Sequence, residues 1–312
     1  MDAMYFRVFL SLICAGLLSL TLTPIVRVFA YKIGAIDVPK DNRRMHKKPM
    51  PLLGGLSIFL GFTISGLLFC KITPSLLAAW FGGLLIIVIG ILDDKYALNA
   101  WIKFLGQIAA AAIAVCVGGV QIDHINLFGK YVQFGALAIP ITIFWIVGMT
   151  NAINLIDGID GLASGLSMVA LVMFSFTFAI EGLWMYSLLA FICVGVLIPF
   201  YCYNVFGDAE KHHKIFMGDT GSLTLGFILS LMAIKYSMYS GMTDHSVDGA
   251  PLMTAFSMLM VPCFDVLRVV WGRLCCKVHP FKPDRTHLHH KFLLMGIQPR
   301  ASMMLILLMA AG

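Results

Sequence analysis

Apolar residues fill this chain in long blocks closed by short polar stretches, without the 3.6-residue stripe of a surface helix or the alternation of a half-buried strand. Blocks of about 20 apolar residues match the thickness of a bilayer core. They predict membrane helices near 5–30, 51–69, 75–92, 100–120, 135–153, 161–180, 183–203, 220–240 and 250–272, and a tenth begins at Ala301. That last block is too short to cross before Gly312, so the C-terminus reads as truncated. The pattern is that of an all-α, polytopic integral membrane protein, one domain over residues 1–312.

Composition sharpens this reading: of 312 residues, 60% are hydrophobic and only 12% charged. The first block outlasts the apolar region of a signal peptide and lacks a small-residue cleavage site, so it is kept as a membrane helix. Eight cysteines fall mostly inside the predicted spans. With no C-x-x-C pair, and with Cys275 and Cys276 adjacent, they read as packing residues rather than redox or zinc groups.

Charge orients the chain. The loops 31–50, 93–99, 154–160, 205–219 and 273–298 carry fourteen Lys and Arg residues, whereas the alternate loops contribute only Lys71 and Lys130. Basic loops stay in the cytoplasm. A multi-pass protein of the inner or plasma membrane is expected, with its N-terminus outside and a basic face toward anionic headgroups or a polyanionic substrate.

The unusual polar residues fall on that same face. Asp93 and Asp94 close the third block; Asn154, Asp157 and Asp160 stand in "TNAINLIDGIDGLASG"; Asp219 lies in "KIFMGDTGSL". Asp265 sits just inside the ninth block, and His287, His289 and His290 follow in the last loop. A carboxylate deep in a bilayer is costly, so such acids are either solvated ends or retained for chemistry. One N-cap needs one Asx residue, and the stretch from Thr150 to Gly165 has four.

Residue type narrows the chemistry. The chain has 14 Asp and 2 Glu, and the clustered acids are Asp beside Asn, which are hard oxygen ligands suited to Mg²⁺ or Mn²⁺. Arg43, Arg44, Lys47, Lys48, Lys214 and Arg285, with interleaved glycines, suit phosphate groups. The start of "GDTGSL" adds helix N–H groups that favour anions. Blander readings stand beside these: Asp93–Asp94 as a solvated helix end, Asp265 paired only with Arg268, and His212 and His213 as loop residues. Zinc at the histidines lacks a loop thiol or carboxylate to complete a tetrahedron.

Five segments, "RRMHKKPMPLLGG", "GILDDKYALNAWIKFLGQ", "TNAINLIDGIDGLASGLS", "KIFMGDTGSL" and "HPFKPDRTHLHH", resemble in content and order the polyprenyl-phosphate N-acetylhexosamine-1-phosphate transferase family. The resemblance implies a Mg²⁺-dependent exchange at the cytoplasmic face. Polyprenyl (undecaprenyl) phosphate attacks the β-phosphorus of a UDP-N-acetylhexosamine, giving polyprenyl-diphospho-sugar and UMP. It also implies roles: Asn154 and Asp219 at the metal, with Asp157 and Asp160 beside them, and Asp93 or Asp94 as base toward the lipid phosphate or, in a covalent scheme, as nucleophile. Lys47 or Lys48 and the loop bearing Arg285, His287, His289 and His290 would contact phosphates and substrate. "PDRTHLHH" is similar to the GlcNAc-1-phosphate branch, against the Pro-x-His-His-His loop of the MurNAc-pentapeptide branch. A homodimer in the bilayer, without nucleic acid, is the expected setting.

Two rivals fit less well. The CDP-alcohol phosphotransferase pattern D-x-x-D-G-x-x-A-R starts at Asp157, but Ser164 and Gly165 stand where Ala-Arg belongs. A secondary transporter would place its charges near span centres, whereas these clusters lie at one face.

Overall fold

The computed structural model describes residues 2–38, 49–127, 130–239, 250–277 and 286–312. The apolar blocks fold as helices, the ninth as two, and a helix satisfies its backbone groups within the segment where no water is present. In chain order these are α1 (Asp2–Ile33), α2 (Gly54–Phe69), α3 (Pro74–Tyr96), α4 (Ala100–Ala112), α5 (Ala138–Ile156), α6 (Leu162–Ile180), α7 (Trp184–Tyr201), α8 (Gly218–Ser237), α9 (Ala250–Met258), α10 (Met260–Cys275), α11 (Leu288–Leu294) and α12 (Pro299–Ala311). Local chemistry sets several starts: the Thr73 side chain accepts the Leu76 N–H ahead of Pro74, and Asn99 accepts that of Trp101. Among the described residues two short antiparallel pairs join the helices, β1 (Ile36–Asp37) with β2 (Met50–Pro51) and β3 (His124–Leu127) with β4 (Lys130–Gln133). The apolar-block pattern gives no sign of either.

Among the described residues, six helices are long and apolar enough to cross a membrane: α1, α3, α4 with its π-helical continuation, α5, α6 and α7. The α9–α10 pair makes a seventh if it is one span. The sequence predicts an unbroken helix over 250–272, but the chain bends by 77° between Met258 and Met260. Pro262 is the cause: its ring lacks the N–H that would bond Met258 and crowds that carbonyl. α2 and α12 are apolar but shorter, at 16 and 13 residues.

α8 is the axis of the bundle, packed by α2, α3, α5, α6 and α9. Sixteen of its twenty residues are buried. A helix so enclosed does not need a lipid-facing surface, which accounts for its Thr, Ser and Gly content; Thr224 and Ser230 return their hydroxyls to Thr220 and Phe227 carbonyls. Small residues bring the neighbouring backbones close. A Cβ on Gly55 would stand 2.1 Å from the Gly221 nitrogen, and one on Gly90 would stand 2.4 Å from the Thr220 Cα. α2 and α3 therefore clamp the first turn of α8. All eight cysteines are unpaired.

Candidate active site

Gly90 and Asp94 are four residues apart on α3 and share a face. Close approach at Gly90 carries Asp94 over the start of α8. There its Oδ1 accepts the Asp219 N–H at 2.8 Å, and its Oδ2 accepts the Thr220 N–H at 3.1 Å and the Thr220 hydroxyl. The carboxylate thus caps α8 from another helix, where free N–H groups and the helix dipole favour an anion. Gly218 just before it has φ +68°, and a Cβ there would meet the Asp94 carboxylate at 2.4 Å.

Asp219 projects from this turn into a polar cluster. Lys103 of α4 bridges it to Asp93, with its ammonium 2.9 Å from each carboxylate. Asn154, in the last turn of α5, donates to Asp219 Oδ1 at 3.0 Å and to Ser222 Oγ at 2.9 Å. Its Oδ1 accepts no hydrogen bond among the described residues. Asp93 also accepts the Leu98 N–H at 2.8 Å. The adjacent acids therefore divide their work: Asp94 holds the helix, and Asp93 faces the lysine.

Asp157 follows α5 as its C-terminal cap residue. Its carboxyl has no side-chain donor among the described residues; burial, and then the nearby Asp219, Asp160 and Asp94, push it up to about 8. Among the described residues no positive charge offsets it. Asp160 ion-pairs with Lys214 from the loop before α8. The turn is held by Asn204, which accepts the Gly161 N–H at 2.8 Å and donates to the Ile215 carbonyl at 3.0 Å. Asn151, the remaining Asx of this stretch, bonds Gln107 on α4 and belongs to helix packing.

The last loop reaches the same turn. His289 is buried, and its ring lies so close to Gly158 that a Cβ there would meet Nε2 at 2.0 Å. Both ring nitrogens are buried without a hydrogen-bond partner. Burial, with His290 and His287 nearby, lowers its pKa to about 4, leaving a neutral ring. His287 Nδ1 stands 2.7 Å from Asp265 Oδ2, while Asp265 Oδ1 takes Arg268 at 2.7 Å and the Leu288 N–H at 2.9 Å. Asp265 is therefore the anchor of the histidine loop, beyond the Arg268 pair its spacing suggests. His290 packs on His289 with ring centroids 4.1 Å apart.

Asp93, Asp94, Asn154, Asp157 and Asp219 thus come together, with Asp160 and the histidines on the adjoining turn. Lys47, Lys48 and Arg285 lie outside the described residues. Among the described residues no three His, Cys, Asp or Glu side chains converge tightly enough to hold a metal unaided. Asp219, and Asn154 through its unused Oδ1, are the residues here that could hold a hard cation taking few protein ligands. Lys103 is the site residue missed in the sequence; it is the lone charge between Tyr96 and Asp123 in an otherwise apolar segment, and that isolation is its signal.

Comparison with known proteins decides the kinship. Residues 76–237 match the family model described as Glycosyl transferase family 4, a range that holds Asp93, Lys103, Asn154, Asp157 and Asp219. The chain is 38% identical over 312 residues to the probable undecaprenyl-phosphate N-acetylglucosaminyl 1-phosphate transferase of Bacillus subtilis (strain 168), covering 99% of this chain and 83% of that protein. The chain belongs to glycosyl transferase family 4. Within the family it is also 30% identical to the decaprenyl-phosphate N-acetylglucosaminephosphotransferase of Mycolicibacterium smegmatis, over 94% of this chain and 77% of the relative. The undecaprenyl-phosphate alpha-N-acetylglucosaminyl 1-phosphate transferase of Yersinia pestis is 29% identical, over 96% and 81%.

Proposed function

We propose that this glycosyl transferase family 4 member transfers GlcNAc-1-phosphate from UDP-GlcNAc to undecaprenyl phosphate, forming undecaprenyl-diphospho-GlcNAc and UMP as the first membrane step of a cell-envelope glycan. The observation that carries the reading is the pairing of Asp93 and Asp219 through Lys103, with Asn154 bonded to Asp219 and Asp157 close by, at one end of the apolar helices. A donor from water and an acceptor from lipid meet at such an end. The names of the relatives support the lipid phosphate and the sugar.

The basic loops argue that this end faces the cytoplasm, in a multi-pass protein of about ten transmembrane helices counted from its apolar blocks. Phosphoryl transfer depends on in-line positioning and charge neutralisation. Asp219 and Asn154 would hold Mg²⁺, which when bound offsets charge on the diphosphate and on the leaving UMP. Lys103 stabilises the same charge from the α4 side. An oxygen of the lipid phosphate attacks the sugar-bearing phosphorus; the bond between the two phosphates breaks, and UMP leaves. Asp93 accepts the lipid phosphate's proton, and Asp94 keeps the first turn of α8 in register. The unpaired ring nitrogens of His289 are suited to polar groups of the donor.

The experiment is UMP release by purified protein in detergent with undecaprenyl phosphate, comparing UDP-GlcNAc with UDP-MurNAc-pentapeptide. UDP-GlcNAc is expected to be the working donor. Preference for the pentapeptide substrate would overturn the sugar assignment, and UMP release from neither would overturn the reading.

A further inference from the structure

α8 carries Asp219 in its first turn and Lys235 in its last, about 24 Å apart at 1.5 Å per residue. At the Lys235 end, away from the acids, a cavity of about 60 Å³ lies between α2, α3, α7 and α8. Phe59, Phe62, Trp80, Tyr186 and Phe227 form much of its wall, and Lys235 is the one charged residue among the described residues that line it. Its apolar walls suit an acyl chain.

Two polar groups at this cavity lack partners. Trp80 is 8% exposed, and its indole N–H is buried with no acceptor. Lys235 is half-buried and has no ion pair or hydrogen bond among the described residues. A lysine near a helix end lays its stem along apolar surface and holds its ammonium at headgroup level. A half-buried cation with no partner among the described residues, beside an apolar chamber, matches a ligand with an anionic head and an apolar tail.

We propose that this cavity binds an anionic phospholipid from the leaflet opposite the acid cluster. One acyl chain enters between Phe59, Phe62, Trp80 and Phe227, and the headgroup phosphate sits at Lys235. The contact ties α2, α3 and α7 to the far end of α8, the helix whose other end holds Asp219.

The test uses the full chain, purified and delipidated in a neutral detergent. Thermal unfolding is followed against dioleoyl phosphatidylglycerol, dioleoyl phosphatidylcholine and inorganic phosphate at equal ionic strength, and retained lipid is counted by mass spectrometry. Phosphatidylglycerol should be retained and should raise the unfolding temperature more than phosphatidylcholine does. Lys235→Gln should weaken its apparent affinity about fivefold, the weight of one lysine at a lipid surface, and Lys235→Arg should restore it. Ala79→Phe, which fills the cavity, should lower retention with Lys235 intact, and monodisperse elution of each variant controls for folding. Equal protection by phosphatidylcholine, full protection by phosphate alone, or an unchanged response in Lys235→Gln would each overturn the proposal.

Discussion

Asp94 accepts the backbone N–H of Asp219 at 2.8 Å, so one acid of the cluster fixes the helix start that presents another. The two positions lie 125 residues apart in the chain, and the contact exists because Gly90 lets α3 touch the first turn of α8. Loss of this cap should therefore read as a loss of structure and activity together. Asp94→Ala should cost roughly 1–2 kcal/mol of stability, the range for a lost N-cap, along with most of the turnover. Asp93→Ala should remove turnover with a smaller shift in unfolding temperature. Equal thermal shifts for the two variants would contradict the division of labour.

Lys103 holds Asp93 and Asp219 together with a single ammonium, 2.9 Å from each. Lys103→Gln should lower kcat on the order of 10²-fold, the scale for one removed charge-stabilising group. UMP-release kinetics check this, and a variant with wild-type kcat would place Lys103 outside the chemistry.

Asp157 gives the apo protein a pH dependence with a definite sign. Its carboxyl is raised to about 8 in the folded chain, against roughly 3.9 when unfolded. Its protonated form is the one the fold favours, so its contribution to stability is complete below about pH 4 and is lost as pH rises through about 8. Unfolding temperature in EDTA should fall between pH 6 and pH 8.5, and Asp157→Asn should flatten that fall. An unchanged slope in the variant would assign the dependence elsewhere.

Gly158 is the point where the histidine loop meets the acid turn. Gly158→Ala would drive a methyl group into His289, whose Nε2 is 2.0 Å from that position. The bundle is built elsewhere, so unfolding temperature should hold while kcat/KM falls about 10–100-fold through misplacement. Steady-state kinetics with the donor varied would show it; an unaffected kcat/KM would mean that His289 does not need to seat there.

How much of this was legible in the sequence depends on the kind of contact. Membrane helices follow from block length alone, because hydrocarbon imposes one solution on the backbone, and the Asn154, Asp157 and Asp219 cluster follows from residue type in apolar surroundings. The cap made by Asp94 does not, since two adjacent acids look alike until a glycine crossing assigns them different neighbours. The bend between Met258 and Met260 is signalled by Pro262, but apolar blocks hide it because both halves remain apolar. Asp265 reads as a local pair with Arg268 at i+3, while His287, 22 residues away, is brought in by tertiary packing.

The central claim is that the oxygens gathered at the start of α8 perform a divalent-dependent sugar-phosphate transfer. It is tested most directly by following UMP and lipid-linked product from UDP-GlcNAc and undecaprenyl phosphate, with wild type and Asp219→Ala, in Mg²⁺ and in excess EDTA. Wild type in Mg²⁺ should form both products in equal amounts, while EDTA and Asp219→Ala each abolish turnover in a protein that still elutes as a folded species. Full activity in EDTA, or in Asp219→Ala, would contradict the account.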